Sequence, residues 1–122
     1  MELIYFFDSY ALIEVIKGKP SYIKYTDCNI AMTIFNLVEV INSVYLDYGE
    51  TKALEIYEQL IPCVQEVDYK VVLEAVKLKQ KYKKRDLSYA DCIGYAYAKA
   101  HHLLFLTGDM DFEDIDNVEY VK

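Results

Sequence analysis

The chain has 122 residues, 54% of them hydrophobic and 27% charged, with 13 basic against 20 acidic side chains and a formal net charge of −7. This length suits one domain with a real core and is too short for two, and the composition excludes a disordered chain. The acidic balance argues against nucleic acid held by bulk charge alone, and no apolar run reaches membrane-spanning length, because Asp8 interrupts the first and Glu39 the second.

In chain order, residues 3–7 read as a strand buried on both faces. Residues 9–17 have helical spacing, with Leu12, Ile13 and Ile16 on one side and a stop signal at Gly18 and Pro20. Residues 29–33 are a short extended stretch without a clear period. Residues 34–48 carry apolar side chains at 34, 37, 38, 41, 44, 45 and 48, the stripe of an amphipathic helix that Gly49 ends. A further helix spans 51–60 and stops at Pro62. Residues 64–67 read as a strand, 69–82 as a helix, 89–100 as a helix rich in small residues, 103–106 as a second buried strand and 118–121 as an edge strand. Such alternation predicts parallel strands joined by right-handed helical crossovers, with helices on both faces of the sheet. The functional crevice of such a sheet lies at the carboxyl ends of its strands.

Four acids occupy costly places against this frame. Asp8 follows the first strand and Asp109 the second, while Glu39 and Asp91 sit within otherwise apolar helices. A carboxylate in or beside a core must be protonated, paired or bound to metal. Few cations stand in these segments, so a hard divalent cation is the natural partner. Each acid also has a plainer use. Asp8 suits the N-cap of the following helix, although Ser9 serves equally, and Glu39 can turn to solvent. Asp91 stands three residues after Ser88, the spacing of a capping box. Asp109 and Asp111 resemble the start of a calcium loop, but that pattern fails at Asp114 and Tyr120.

Cys28, Cys63 and Cys92 form no Cys-x-x-Cys pair and are joined only by His101-His102. This speaks for a reducing compartment and against a zinc site or disulfide framework. The start has no basic segment with a cleavage site, which adds to a cytoplasmic expectation. Lys77, Lys79, Lys81, Lys83, Lys84 and Arg85 gather six of the 13 basic residues into one segment. They are candidates for phosphate contacts, or else the solvated face of a helix and the loop after it.

Taken together, the strand ending in Asp8-Ser9, the helix bearing Asn36 and Glu39, the helix start Leu87-Ser88-Tyr89-Ala90-Asp91 and the strand ending Leu106-Thr107-Gly108-Asp109-Met110-Asp111-Phe112 resemble the PIN-domain ribonucleases, in particular the small toxins of the VapC type. The resemblance implies a single PIN-like nuclease domain over residues 1–122, an α/β fold built as a three-layer α/β/α sandwich around a central mostly parallel sheet. It implies that Asp8, Glu39, Asp91 and Asp109 are catalytic and hold one or two magnesium or manganese ions. Asp111 would be a further acid at the metal, and Ser9, Asn36 and Thr107 polar supports. It also implies cleavage of single-stranded RNA to leave a 5′ phosphate and a 3′ hydroxyl, a homodimer, and an antitoxin partner whose tail brings an Arg among the carboxylates. The chain departs from common versions in its negative charge and in Gly108, where an Arg often precedes the last acid. The alternatives are a haloacid-dehalogenase-like phosphatase, which would require a second Asp where Tyr10 stands, and a non-catalytic RNA-binding or scaffold module of the same fold.

Overall fold

Neighbouring rings of the first strand go to opposite sides of a sheet, and the layers follow from that alternation. The structure, a computed structural model, describes residues 3–122, so Met1 and Glu2 of the expected domain lie outside the described residues. Strands β1 (Tyr5–Phe7), β2 (Leu104–Thr107) and β3 (Val118–Tyr120) pair in parallel in the order β1-β2-β3. Phe6 is opposite Phe105, and Thr107 opposite Tyr120. Among the described residues five α-helices complete the fold: α1 (Ser9–Lys17), α2 (Ile34–Tyr48), α3 (Glu50–Leu60), α4 (Tyr69–Lys81) and α5 (Tyr89–Ala100). Phe6 and Phe105 pack with Val71 and Ala75 of α4 and Ile93 and Ala96 of α5. Phe7 and Leu106 pack with Leu12, Leu37, Val40 and Ile56 of the first three helices. Two cores on two faces of one parallel sheet make the expected three-layer sandwich.

The two short extended stretches turn out smaller than their sequences suggest. Ala31 bridges to Phe6 and Met32 to Val64 as isolated parallel pairs, so neither 29–33 nor 64–67 forms a strand. The second has no room to grow. A 3₁₀ turn at Ile61–Cys63 precedes it, and Asp68 already caps α4 by accepting from Val71 N–H at 3.0 Å. A 3₁₀ helix at Pro20–Tyr25, unforeseen in the sequence, carries Tyr22 and Tyr25 into the core of the first three helices. Gly18 ends α1 in the left-handed region at φ 73°, which only glycine enters without cost. Among the described residues no helix is long and apolar enough to cross a membrane.

The small residues of α5 let it lie close to the sheet. A Cβ placed on Gly94 would stand 2.7 Å from Phe6 Cε1 and 3.1 Å from Phe105 Cε1, and both rings are fully buried. Gly94→Ala therefore sets a gain of about 1 kcal/mol in helix propensity against about 1–3 kcal/mol of overpacking. The rings have nowhere to go, so packing wins. A net loss near 1 kcal/mol lowers the melting temperature by about 4 °C, and a thermal melt checks it; a rise would mean that Phe6 yields.

Candidate active site

The carboxyl ends of β1 and β2 converge on one hydroxyl. Thr107, the last residue of β2, donates to Asp8 Oδ2 at 2.5 Å and accepts from Asp109 N–H at 3.0 Å. Asp8 is nearly fully buried and occupies the N-cap position of α1, yet its side chain makes no capping bond. It turns instead toward the end of β2. Asp109 is the cap of the 3₁₀ turn Met110–Phe112, with its Oδ1 accepting from Asp111 N–H at 2.9 Å.

The other two acids arrive on helices. Ser88 and Asp91 form a reciprocal capping box at the start of α5: Asp91 N–H donates to Ser88 Oγ at 3.0 Å, and Ser88 N–H donates to Asp91 Oδ2 at 2.9 Å. Glu39 is solvent-exposed on α2, but its Oε1 accepts from Ser9 Oγ at 2.6 Å. Behind that contact runs a buried relay. Asn36 Nδ2 donates to Ser9 Oγ at 3.0 Å, while Asn36 Oδ1 accepts from the Thr33 N–H and hydroxyl at 3.0 and 2.9 Å. Ser9 and Asn36 thus join the starts of α1 and α2 and aim Glu39. Thr33 roots the relay and was not singled out from sequence, although Thr33-x-x-Asn36 at a helix start has the spacing of a cap.

Charge ties the four acids together. Burial pushes the Asp8 carboxyl up to about 7; the charges of Asp91 and Asp109 add to the rise, and hydrogen bonds from Thr107 and the Ser9 backbone oppose it. Burial likewise pushes Asp91 up to about 6, against its bonds to Ser88 and with the charges of Asp109 and Glu39. Every charge named here is negative. Like charges that raise one another's pKa call for a cation or a proton.

The donor set fits a hard divalent cation, since all four groups offer carboxylate oxygens. In Glu39, Asp91 and Asp109 the side-chain hydrogen bonds above engage one carboxylate oxygen each. Among the described residues no three acid, histidine or cysteine side chains already stand at ligand spacing, so the fit is one of chemistry rather than of a preformed cage.

A pH dependence follows for the metal-free protein. The folded state holds the Asp8 proton up to about 7, whereas an unfolded Asp releases it near the ordinary value of about 3.9. Between these values the native state binds the extra proton, so stability is full below about 4 and falls as pH rises toward 7. Asp91 adds to this up to about 6. Melting in chelator should therefore decline from pH 4 to 7, and Asp8→Asn should flatten the decline; an equal slope in both proteins would contradict the assignment.

The remaining candidates are spread out. The charge of Asp111 is felt by Arg85, and the Asp111 carbonyl accepts from Arg85 Nη1 at 2.7 Å. Arg85 also grips Asp114 with both terminal nitrogens, at 2.7 and 2.9 Å. Lys77 pairs with Glu74, and Lys79 donates to the Leu87 carbonyl at 2.6 Å. Lys81 stands over the Tyr82 ring, and Lys83 and Lys84 are exposed in the turn after α4. His101 stacks on Tyr97 at the far end of α5, about 15 Å of helix from Asp91, too far to act as a base there. Burial and then Asp91 push the Cys92 thiol up to about 11, which leaves it un-ionised at neutral pH.

Comparison with known proteins agrees with this architecture. The PIN domain family model matches residues 5–118. Among solved structures, VapC20 of Mycobacterium tuberculosis, described as a sarcin-ricin loop cleaving toxin, is 16% identical over 97% of this chain and 99% of its own, with a TM-score of 0.76. A toxin-antitoxin complex from Klebsiella pneumoniae is 21% identical over 94% and 95%, with a TM-score of 0.74. DNA-bound VapBC from Salmonella typhimurium is 19% identical over 98% and 97%, also at 0.74. No curated protein matches by sequence. The family model covers nearly all of the sheet and both acid-bearing helices, and the chain belongs to the PIN domain family.

Proposed function

We propose that the protein is a metal-dependent endoribonuclease that cleaves single-stranded RNA, and that it is the toxin of a toxin–antitoxin pair of the VapBC type. The observation that carries the reading is the convergence of Asp8 and Asp109 on the Thr107 hydroxyl at the carboxyl ends of β1 and β2, with the charges of Asp91 and Glu39 adding to the group from α5 and α2. These four residues, with Asp111 as a further acid, would hold magnesium or manganese. The cation would supply Lewis-acid stabilisation of the phosphodiester and activation of water. Thr107 fixes Asp8 and Asp109 relative to each other, and the Asn36–Ser9 pair orients Glu39. Lys81, Lys83 and Lys84 are the members of the basic segment proposed to meet RNA phosphates.

The VapBC and toxin–antitoxin complexes among the similar structures support an antitoxin partner, whose Arg would suit the acidic cleft. A homodimer and a single nuclease domain complete the proposal. The phosphatase alternative is weakened at position 10, where the Tyr10 ring packs on Gly108 and no acid is available.

End-labelled single-stranded RNA incubated with magnesium, with manganese and with chelator tests the reading. Cleavage with either metal, none in chelator, and products with a 5′ phosphate are expected. Cleavage that persists in chelator, or none with either metal, would overturn it.

A further inference from the structure

An exposed ring opens the helix that bears Asp91, braced by a cation from α4. Tyr89 opens α5 two residues before Asp91 and is 57% exposed. The Lys79 amine lies 4.8 Å from the centre of its ring, and the same amine is anchored on the Leu87 carbonyl at 2.6 Å. A ring with a fixed cation against one face and most of its surface bare presents its other face to solvent. On the helix opposite, Phe35 is 44% exposed one turn before Glu39, whose charge reaches Asp91. Two helices that carry the acids therefore also carry exposed aromatic surface.

Single exposed aromatic residues are ordinary. The problem this chain poses for RNA is not. With a net charge of −7 and a carboxylate floor, long-range attraction for a phosphate backbone is weak or adverse. Base stacking on an aromatic ring is insensitive to that charge and tolerant of sequence, because every base has a π-face. A cation beneath the ring adds to its hold on electron-rich partners.

We propose that Tyr89, braced by Lys79, is a stacking position that seats one nucleobase of single-stranded RNA beside the acidic centre. This rests on the nuclease reading and adds a substrate-positioning residue to it. The ring does not touch the reacting phosphate; it sets where the strand lies.

The test compares wild type, Tyr89→Ala, Tyr89→Phe and Tyr69→Ala on one single-stranded RNA with magnesium. Tyr69 is the control, since it is 76% exposed at the start of α4, where Asp68 and Lys70 share a groove with His101 at the far end of α5. Tyr89→Ala should raise KM by about fivefold to a hundredfold with kcat nearly unchanged. Tyr89→Phe should restore KM, Tyr69→Ala should leave it alone, and all four should melt alike. In an Asp8→Asn background, a 2-aminopurine oligonucleotide should be quenched with Tyr or Phe at position 89 and not with Ala. An unchanged KM in Tyr89→Ala, a Phe variant as weak as Ala, or no quenching would overturn the proposal. So would a Tyr89→Ala protein that keeps its RNA parameters but loses a protein partner, which would make the ring a protein contact. Absence of cleavage by wild type overturns the nuclease reading alone if quenching by the Asp8→Asn protein persists.

Discussion

Glu39→Gln is expected to lower RNA cleavage by at least about a thousandfold, some 4 kcal/mol of transition-state stabilisation, while the melting temperature stays near that of wild type. The side chain is exposed and the exchange is isosteric, so the fold loses little. The Gln amide oxygen still accepts from Ser9 Oγ, which keeps the relay through Asn36 intact. What disappears is one negative charge among four. Ser9→Ala removes only the aim of Glu39 and should cost far less, about tenfold to a hundredfold. Asp8→Asn and Asp91→Asn should also abolish cleavage, but Glu39 separates the alternatives best, since a phosphatase of the dehalogenase type has no use for it. Cleavage assays at saturating magnesium decide the matter, and full activity in Glu39→Gln would sink the nuclease assignment.

The second large effect is on folding. A Cβ at Gly108 would fall 2.2 Å from Tyr10 Cε1 and 2.5 Å from the Val121 carbonyl oxygen, both far inside contact distance. The ring is a side chain and has some freedom. The carbonyl has much less, because Tyr22 donates to it at 2.5 Å and the Val121 N–H is bonded to the Thr107 carbonyl at 2.9 Å. Gly108→Ala should therefore cost more than the usual overpacking range of about 1–3 kcal/mol and lower the melting temperature by more than about 10 °C. Tyr10→Ala in the same chain should return part of the loss and leave the share owed to Val121, a coupling that a double-mutant cycle reads directly. A Gly108→Ala protein that melts like wild type would refute this packing. The same contacts give a physical reason for Gly108 where the resemblance puts Arg: Tyr10 and the Val121 backbone occupy the space an Arg would need.

The elements were legible wherever periodicity was long. The stripe from Ile34 to Tyr48 and the small-residue run from Tyr89 to Ala100 became α2 and α5 with the same ends. Short segments were not legible. Pro20 read as a stop signal, and the burial of Tyr22 depends on Val121, 99 residues away. The run 64–67 has the composition of a strand but only one bridging partner. In the candidate site, the residue types and their places at strand ends were readable, whereas side-chain direction was not. Asp8 looked as ready to cap α1 as to face a crevice, and Thr107 decides between them from the other end of the chain. Arg85 looked like one more charge in a basic run, and Asp114 turns it into a bracket between two loops.

The two helix-borne acids stand in unequal relation to the fold, and this bears on how loss of activity would be recorded in descendants of such a chain. Asp91 closes the cap of α5, a contact of the kind whose removal costs about 1 kcal/mol, so selection for folding alone tends to retain it. Glu39 is exposed and held by one hydroxyl, and nothing in the core depends on it. A lineage that had given up cleavage and kept the scaffold would let Glu39 drift first and Asp91 much later. In a chain of this fold, Asp91 alone is therefore a poor marker of a working site, and Glu39 is the informative one.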